Sequence, residues 1–156
     1  LEYCVTDLET IVKDDSIDLP PQNVKCYMQM LLSGVAFLHS RWVLHRDLKP
    51  NNLLLNANGI LKIADFGFAR QLVQESLAQT WVGSPLYMAP ELLAGKAYDR
   101  GIDVWAFGCT LFEAMSLTCP WSQLDDGFGG LEGGMAGLLK CDAADILQLD
   151  VVSVQQ

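Results

Sequence analysis

Apolar positions along the chain follow different periods in different stretches. Val24, Tyr27, Met28, Leu31, Leu32, Val35 and Leu38 recur at i, i+3, i+4 and i+7. That spacing predicts one amphipathic helix of about five turns. Asp18-Leu19-Pro20-Pro21 precedes it, and proline is tolerated where the first helical N–H groups have no partner. A second helix is expected over Tyr98 to Ser116, where Ile102, Trp105, Cys109 and Phe112 mark one face and Val104, Phe107 and Leu111 fill the others. Apolar character all round predicts a buried helix.

Between these helices, Leu53-Leu54-Leu55 and Ile60-Leu61-Lys62-Ile63-Ala64 flank Asn56-Ala57-Asn58-Gly59. Asn-Gly between apolar runs predicts a hairpin, because both central positions tolerate positive φ. Reversal of the chain there should return Asp65 close to Asn52, since opposed residues of a ladder lie about 5 Å apart. An amide oxygen and a carboxylate so placed can share a small, hard cation. Residues 71–79 are polar and without period, as expected of a loop.

Composition narrows the possibilities. At 156 residues the chain reads as one domain, long enough to bury a core. It is 51% hydrophobic and carries a formal charge of −9, with no basic run to release counterions. Nucleic acid and anionic membrane are therefore not expected as partners. The apolar run from Ile102 to Met115 holds Asp103 and Glu113 and is too short to span a bilayer. No signal-peptide pattern opens the sequence, and a start at Leu1 without Met reads as a cut from something longer. Five cysteines, Cys4, Cys26, Cys109, Cys119 and Cys141, form no C-x-x-C pair. For most of them small buried apolar roles are expected, in a reducing compartment, with no disulfide framework and no metal cluster.

The residues that carry chemistry are His45-Arg46-Asp47-Leu48-Lys49-Pro50-Asn51-Asn52, followed by Asp65-Phe66-Gly67 and Ala89-Pro90-Glu91. This order and spacing resembles the catalytic loop, magnesium-binding turn and closing motif of a eukaryotic Ser/Thr protein kinase. Asp103-Val104-Trp105-Ala106-Phe107-Gly108 is similar to the D-x-W-x-x-G signature of the same family's large lobe. The resemblance covers residues 1–121. Through Asp-Phe-Gly-Phe-Ala-Arg it is closest to cyclin-dependent kinases of the CDK-activating type. The activation segment differs, because Gly83-Ser84-Pro85-Leu86-Tyr87-Met88 resembles unc-51-like and other general Ser/Thr kinases.

The resemblance implies a mainly α fold with one small β-hairpin, the large lobe without the small one. Asp47 would accept the substrate hydroxyl proton, Lys49 would reach the γ-phosphate, and Asn52 with Asp65 would hold Mg2+ on ATP. Leu54 would floor the adenine site, Glu2 and Cys4 would meet its edge through their backbone, and Asp7 would face the ribose. Arg46 would bind a phosphate on Thr80, or secondarily Ser76. Ser84 would be the substrate-loop hydroxyl contacting Asp47 and Lys49. His45, Phe66, Asp103 and Glu91 would be structural, with Asp103 accepting backbone N–H groups of the catalytic loop. His39 reads as a packed structural histidine.

Partners implied are a protein substrate and, through a small lobe, a cyclin; the implied location is nucleus or cytoplasm. The chain contains no Gly-rich phosphate loop and no V-A-I-K lysine. Gly127-Phe128-Gly129-Gly130 does not meet the G-x-G-x-x-G spacing. Residues 122–156, with six acidic residues against one lysine, read as a divergent acidic, Gly-rich tail of loop or partial disorder, in which 143–152 suits a short helix or a strand. Two readings follow: part of an active kinase, or a truncated, inactive product serving as a binding or regulatory module.

Overall fold

The computed structural model describes residues 3–72 and 82–120. Its long helix is α2, Pro21–Ser40, which follows the short α1, Leu8–Lys13. The Pro20 carbonyl accepts the N–H groups of Asn23 and Val24 at 2.9 and 3.3 Å, so the two prolines start the helix without wasting a donor. Val24, Met28, Leu31 and Val35 are buried along one side. Leu32 is 50% exposed, a correction to the expected stripe: it lies on the flank of the apolar arc, where no described element covers it.

The stripe packs on a small sheet. Strands β3, Leu53–Leu55, and β4, Leu61–Ile63, pair antiparallel with Leu53 opposite Ile63 and Leu55 opposite Leu61. Ahead of them β1, Thr6–Asp7, adds a third strand on the β3 edge. The hairpin forms as expected, but by a different turn. Asn56 accepts the Gly59 N–H at 3.0 Å, and its own N–H reaches the Ile60 carbonyl at 3.2 Å. Only Gly59 takes positive φ, at 72°. Asn58 does not, because its N–H bonds back to Asn56 Oδ1 at 3.0 Å, an Asx-type turn closed by one left-handed glycine.

A second ribbon, absent from the sequence reading, pairs β2, Val43–Leu44, with β5, Arg70–Gln71. The Leu72 N–H extends it to the Trp42 carbonyl at 2.7 Å. The described residues thus form two small sheets rather than a lone hairpin. Beneath the ribbon, Leu44, Leu72, Met88, Ala89, Leu92, Tyr98 and Ile102 form one buried cluster. The larger cluster joins Leu8, Leu31, Leu48, Leu53 and Leu55 to Ala106 and Ala114. Each fully buried leucine there contributes about 1.5–3 kcal/mol relative to exposure.

After α3, Pro90–Leu93, comes α4, Gly101–Ser116. It begins three residues later than expected and is not buried all round. Val104, Phe112 and Met115 are 59%, 45% and 55% exposed, while Asp103, Thr110 and Glu113 are buried. Polar residues win the inward face because each finds a partner there, Thr110 Oγ1 for example donating to the Ala106 carbonyl at 2.9 Å. A satisfied polar group costs little to bury. Of the four described cysteines Cys109 is buried, Cys4 and Cys119 are half-buried and Cys26 is exposed, so burial of most of them is not met among these four. None of the four forms a disulfide among the described residues. No helix of the described residues is long and apolar enough to cross a membrane.

Candidate active site

The loop between β2 and β3 is fixed from behind. Asp103, 1% exposed on α4, accepts the backbone N–H groups of His45 and Arg46 at 3.0 and 2.9 Å. His39 Nε2 lies 2.8 Å from the same carboxylate. His39 is thus the third group on Asp103, a partner that a lone histidine near a helix end did not reveal in the sequence. Held this way, Arg46 takes left-handed backbone at φ 68°. His45 is fully buried, its Nε2 2.9 Å from the Ala64 carbonyl and its ring edge-on to Phe66 at 4.9 Å. This loop is therefore tied to the turn that carries Asp65.

Asp47 is 4% exposed, yet both carboxylate oxygens are met. Ser84 Oγ donates to Oδ1 at 2.8 Å, and Asn52 Nδ2 donates to Oδ2 at 3.0 Å. Lys49 Nζ is 3.0 Å from Oδ2 and donates to Ser84 Oγ at 2.6 Å. Asn52 Nδ2 also reaches the Asp47 carbonyl at 2.8 Å. With its nitrogen turned inward, Asn52 keeps Oδ1 for another donor or a cation. The Ser84 hydroxyl therefore sits between a carboxylate that can take a proton and an ammonium that can meet negative charge.

Gly83 permits this approach. It adopts φ 111°, and a Cβ there would stand 2.4 Å from the Arg46 carbonyl oxygen. Only glycine lets the two segments touch.

Asp65 follows Ala64, whose N–H donates to the Asn52 carbonyl at 2.9 Å. The hairpin thus delivers Asp65 one residue past the partner of Asn52. Asp65 is itself left-handed at φ 58° and accepts the Gly67 N–H on Oδ1 at 3.2 Å. It is solvent-exposed. Among the described residues no three His, Cys, Asp or Glu side chains converge as a metal cluster. The oxygen donors on offer here are the Asn52 amide and the Asp65 carboxylate, a hard set suited to a hard cation.

Other expected residues stand outside the hydrogen-bond network of Asp47, Lys49, Asn52 and Ser84. Asp7 caps α1, its two oxygens accepting the Thr10 N–H at 2.8 Å and hydroxyl at 3.0 Å. Leu54 is half-buried on β3 opposite Asp7 and Lys62. Cys4 is half-buried just ahead of Val5, whose N–H donates to the Leu55 carbonyl at 2.8 Å. Arg46 donates through Nε to the Phe68 carbonyl at 2.6 Å and through Nη1 to the Tyr98 hydroxyl at 3.1 Å. Tyr98 was not singled out in the sequence. Glu91 has no ion-pair partner among the described residues. Glu2, Ser76, Thr80 and the tail 122–156 lie outside the described residues.

A further pair escaped the sequence reading. The Tyr87 hydroxyl donates to Glu113 Oε2 at 2.5 Å. Burial first, then the Glu113 bond and charge, push the Tyr87 pKa far above the ordinary phenol range. No local signal joins these residues, which lie on different segments.

Known proteins match this architecture. The model of the protein kinase domain matches residues 1–131. Cyclin-dependent kinase 7 of Xenopus laevis is 49% identical over 116 residues, which cover 73% of this chain and 33% of that protein. Cyclin-dependent kinase D-1 of Arabidopsis thaliana is 48% identical over 124 residues, 78% of this chain and 31% of the relative. Among solved structures, a chain of the yeast RNA Pol II CTD kinase CTDK-1 complex superposes with a TM-score of 0.77 at 30% identity. That match covers 86% of this chain and 43% of the other. The chain spans about a third of the length of the curated relatives.

Proposed function

The chain belongs to the protein kinase domain family, and from that premise we propose that it supplies the phosphoryl-transfer face of a cyclin-dependent-kinase-like Ser/Thr kinase. The observation that carries this reading is the Ser84 hydroxyl held between Asp47 Oδ1 at 2.8 Å and Lys49 Nζ at 2.6 Å. A substrate hydroxyl needs the same two neighbours: an acceptor for its proton and a positive charge near the phosphate it attacks. Asp47 is the acceptor. Lys49 compensates charge on the γ-phosphate. Asn52 and Asp65 supply oxygen ligands for Mg2+ on ATP, with Leu54 as the apolar floor of the base site. Asp7 acts as a helix cap first, and its contribution to ribose binding is through a lone pair not used by Thr10.

Asp103 and His45 are positioning residues in this scheme. Arg46 keeps the Phe68 carbonyl and the root of the activation segment against the loop, and a phosphate on Thr80 or Ser76 adds to its partners. The family's small lobe, a protein substrate and a cyclin complete the working assembly. The chain contains no Gly-rich loop or V-A-I-K lysine, so little or no turnover is expected of the 156 residues by themselves. The second reading is a catalytically inactive binding or regulatory module.

A chimera separates the two. Residues 3–120 replace the corresponding segment of the Xenopus relative, and phosphorylation of a Ser/Thr protein substrate is measured with Mg2+-ATP. The kinase reading expects transfer that Asp47→Asn lowers about a hundredfold or more. A folded chimera without Asp47-dependent transfer would leave the binding module as the surviving account.

A further inference from the structure

Independently of the kinase reading, we propose that Cys109 and Cys119 are a thiol pair that a low-molecular-weight disulfide such as oxidised glutathione converts to an intrachain disulfide, a reversible staple at the end of α4. Cys109, 5% exposed, is the buried centre of a small cluster in which Tyr87, Leu93, Trp105 and Cys119 pack against it. The end of α4 makes this contact between residues ten positions apart. The helix stops at Ser116, and Leu117 takes left-handed backbone at φ 59° with its N–H on the Glu113 carbonyl at 2.8 Å. Such a cap turns the chain back along its helix, and the Thr118 N–H reaches Ser116 Oγ at 3.4 Å. Cys119 is thereby returned to the face of α4 that carries Cys109 and, one turn on, Glu113.

Cysteine side chains are short, so packing one on the other brings their Cα atoms near the spacing of about 4.4–6.8 Å that a disulfide needs. Among the described cysteines, only these two share a core cluster. They differ in access. Cys119 is half-buried and lines a groove of about 400 Å3 with Lys49, Ser84, Tyr87 and Glu113, whereas Cys109 is covered. An oxidant from solvent therefore meets Cys119 first. The Cys119 thiolate attacks one sulfur of oxidised glutathione, forming a mixed disulfide and releasing one glutathione thiolate. The Cys109 thiolate then attacks the Cys119 sulfur, closing the bond between them and releasing the second glutathione. The protein gives up two electrons and two thiol protons, and two reduced glutathione molecules carry them away. In a reducing compartment such a bond is transient and redox-sensing rather than part of a framework. Once formed, it fixes Leu117 to Cys119 against α4 beside the bond from Tyr87 to Glu113, and stiffens that end of the groove.

The test incubates the full 156-residue chain with oxidised and reduced glutathione at a series of ratios, both folded and in urea. Remaining thiols are blocked and the links are mapped by mass spectrometry after cleavage at glutamate, which cuts at Glu113 between the two cysteines. From the folded chain, the Cys109–Cys119 link should exceed every other protein disulfide and the glutathione adduct of Cys119 by about tenfold. Dithiothreitol should remove it. In urea the preference should collapse to a mixture that also involves Cys4, Cys26 and Cys141. Cys109→Ala removes the resolving thiol and should leave Cys119 as its glutathione adduct, while Cys119→Ser should leave Cys109 unmodified. A folded chain that stops at the adduct of Cys119, that links Cys119 to Cys4, Cys26 or Cys141, or that gives the same mixture folded and unfolded overturns the proposal. Should either variant fail to fold, the map of the parent chain decides the matter.

Discussion

Asp103 accepts the backbone N–H of Arg46 at 2.9 Å across 57 residues of sequence. That bond explains how a non-glycine residue stays left-handed at φ 68° in the loop that carries Asp47. A strained backbone persists when its surroundings over-determine it, and here one carboxylate binds two successive N–H groups.

Replacing Asp103 by alanine orphans both N–H groups and the His39 ring. Hydrogen bonds to a buried charge are each worth about 1.5–3 kcal/mol, so Asp103→Ala should destabilise the chain by about 3 kcal/mol or more. Urea denaturation gives the magnitude. Hydrogen exchange should show the His45 and Arg46 amides losing protection before those of α2. Unchanged protection at both amides would mean that the loop holds itself.

Gly83→Ala tests the contact between the Gly83-Ser84 segment and the loop that carries Asp47. The new Cβ would meet the Arg46 carbonyl oxygen at 2.4 Å from a backbone at φ 111°. A strain of about 1–3 kcal/mol is expected, taken up by moving Ser84 away from Asp47. In the chimera, transfer should fall together with the urea midpoint. A variant as stable and active as the parent would show that this close approach has no functional weight.

Tyr87 makes stability depend on alkaline pH. Its pKa is raised in the folded chain by burial first and then by the Glu113 bond and charge. The neutral phenol is therefore favoured by folding, and its contribution is fully present below the unfolded value of about 10. As pH rises above about 10 the unfolded state releases this proton while the folded state retains it, so stability falls. Denaturation midpoints between pH 9 and 11 (roughly, bracketing the phenol range) should drop for the parent and drop less for Tyr87→Phe. Tyrosinate absorbance of the folded chain should show one of the four tyrosines resisting ionisation.

Periodicity disclosed α2 and α4, each long enough for its apolar spacing to repeat, while Asn58-Gly59 between two apolar runs disclosed the β3–β4 hairpin. Strands of two residues, such as Thr6–Asp7 and Val43–Leu44, show no period and were invisible. Spacing also reports which side chains can pack, not which are covered. Leu32, Val104, Phe112 and Met115 are apolar and exposed, while Glu113 and Thr110 are polar and buried. Asp47, Lys49 and Ser84 lie within hydrogen-bond reach of one another, a contact implied by the family resemblance and by no local spacing. Asp7 has a use the sequence reading did not name, its carboxylate just ahead of α1 accepting the Thr10 N–H and hydroxyl. The pairs His39 with Asp103 and Tyr87 with Glu113 depend on long-range packing, 64 and 26 residues apart, that no local pattern encodes.

The account rests on Asp47, Asn52 and Asp65 sharing one rim around a cation and its phosphates. Trace Mn2+ added with ATP to the isotope-labelled chain tests this directly, since the ion broadens the NMR signals nearest to it. The amides of Asn52 and Asp65 should broaden first, with Asp47 following, and Asp65→Asn should abolish the effect. Broadening confined to the acidic end of α1, at Glu9, Asp14 and Asp15, with Asn52 and Asp65 sharp throughout, would contradict it.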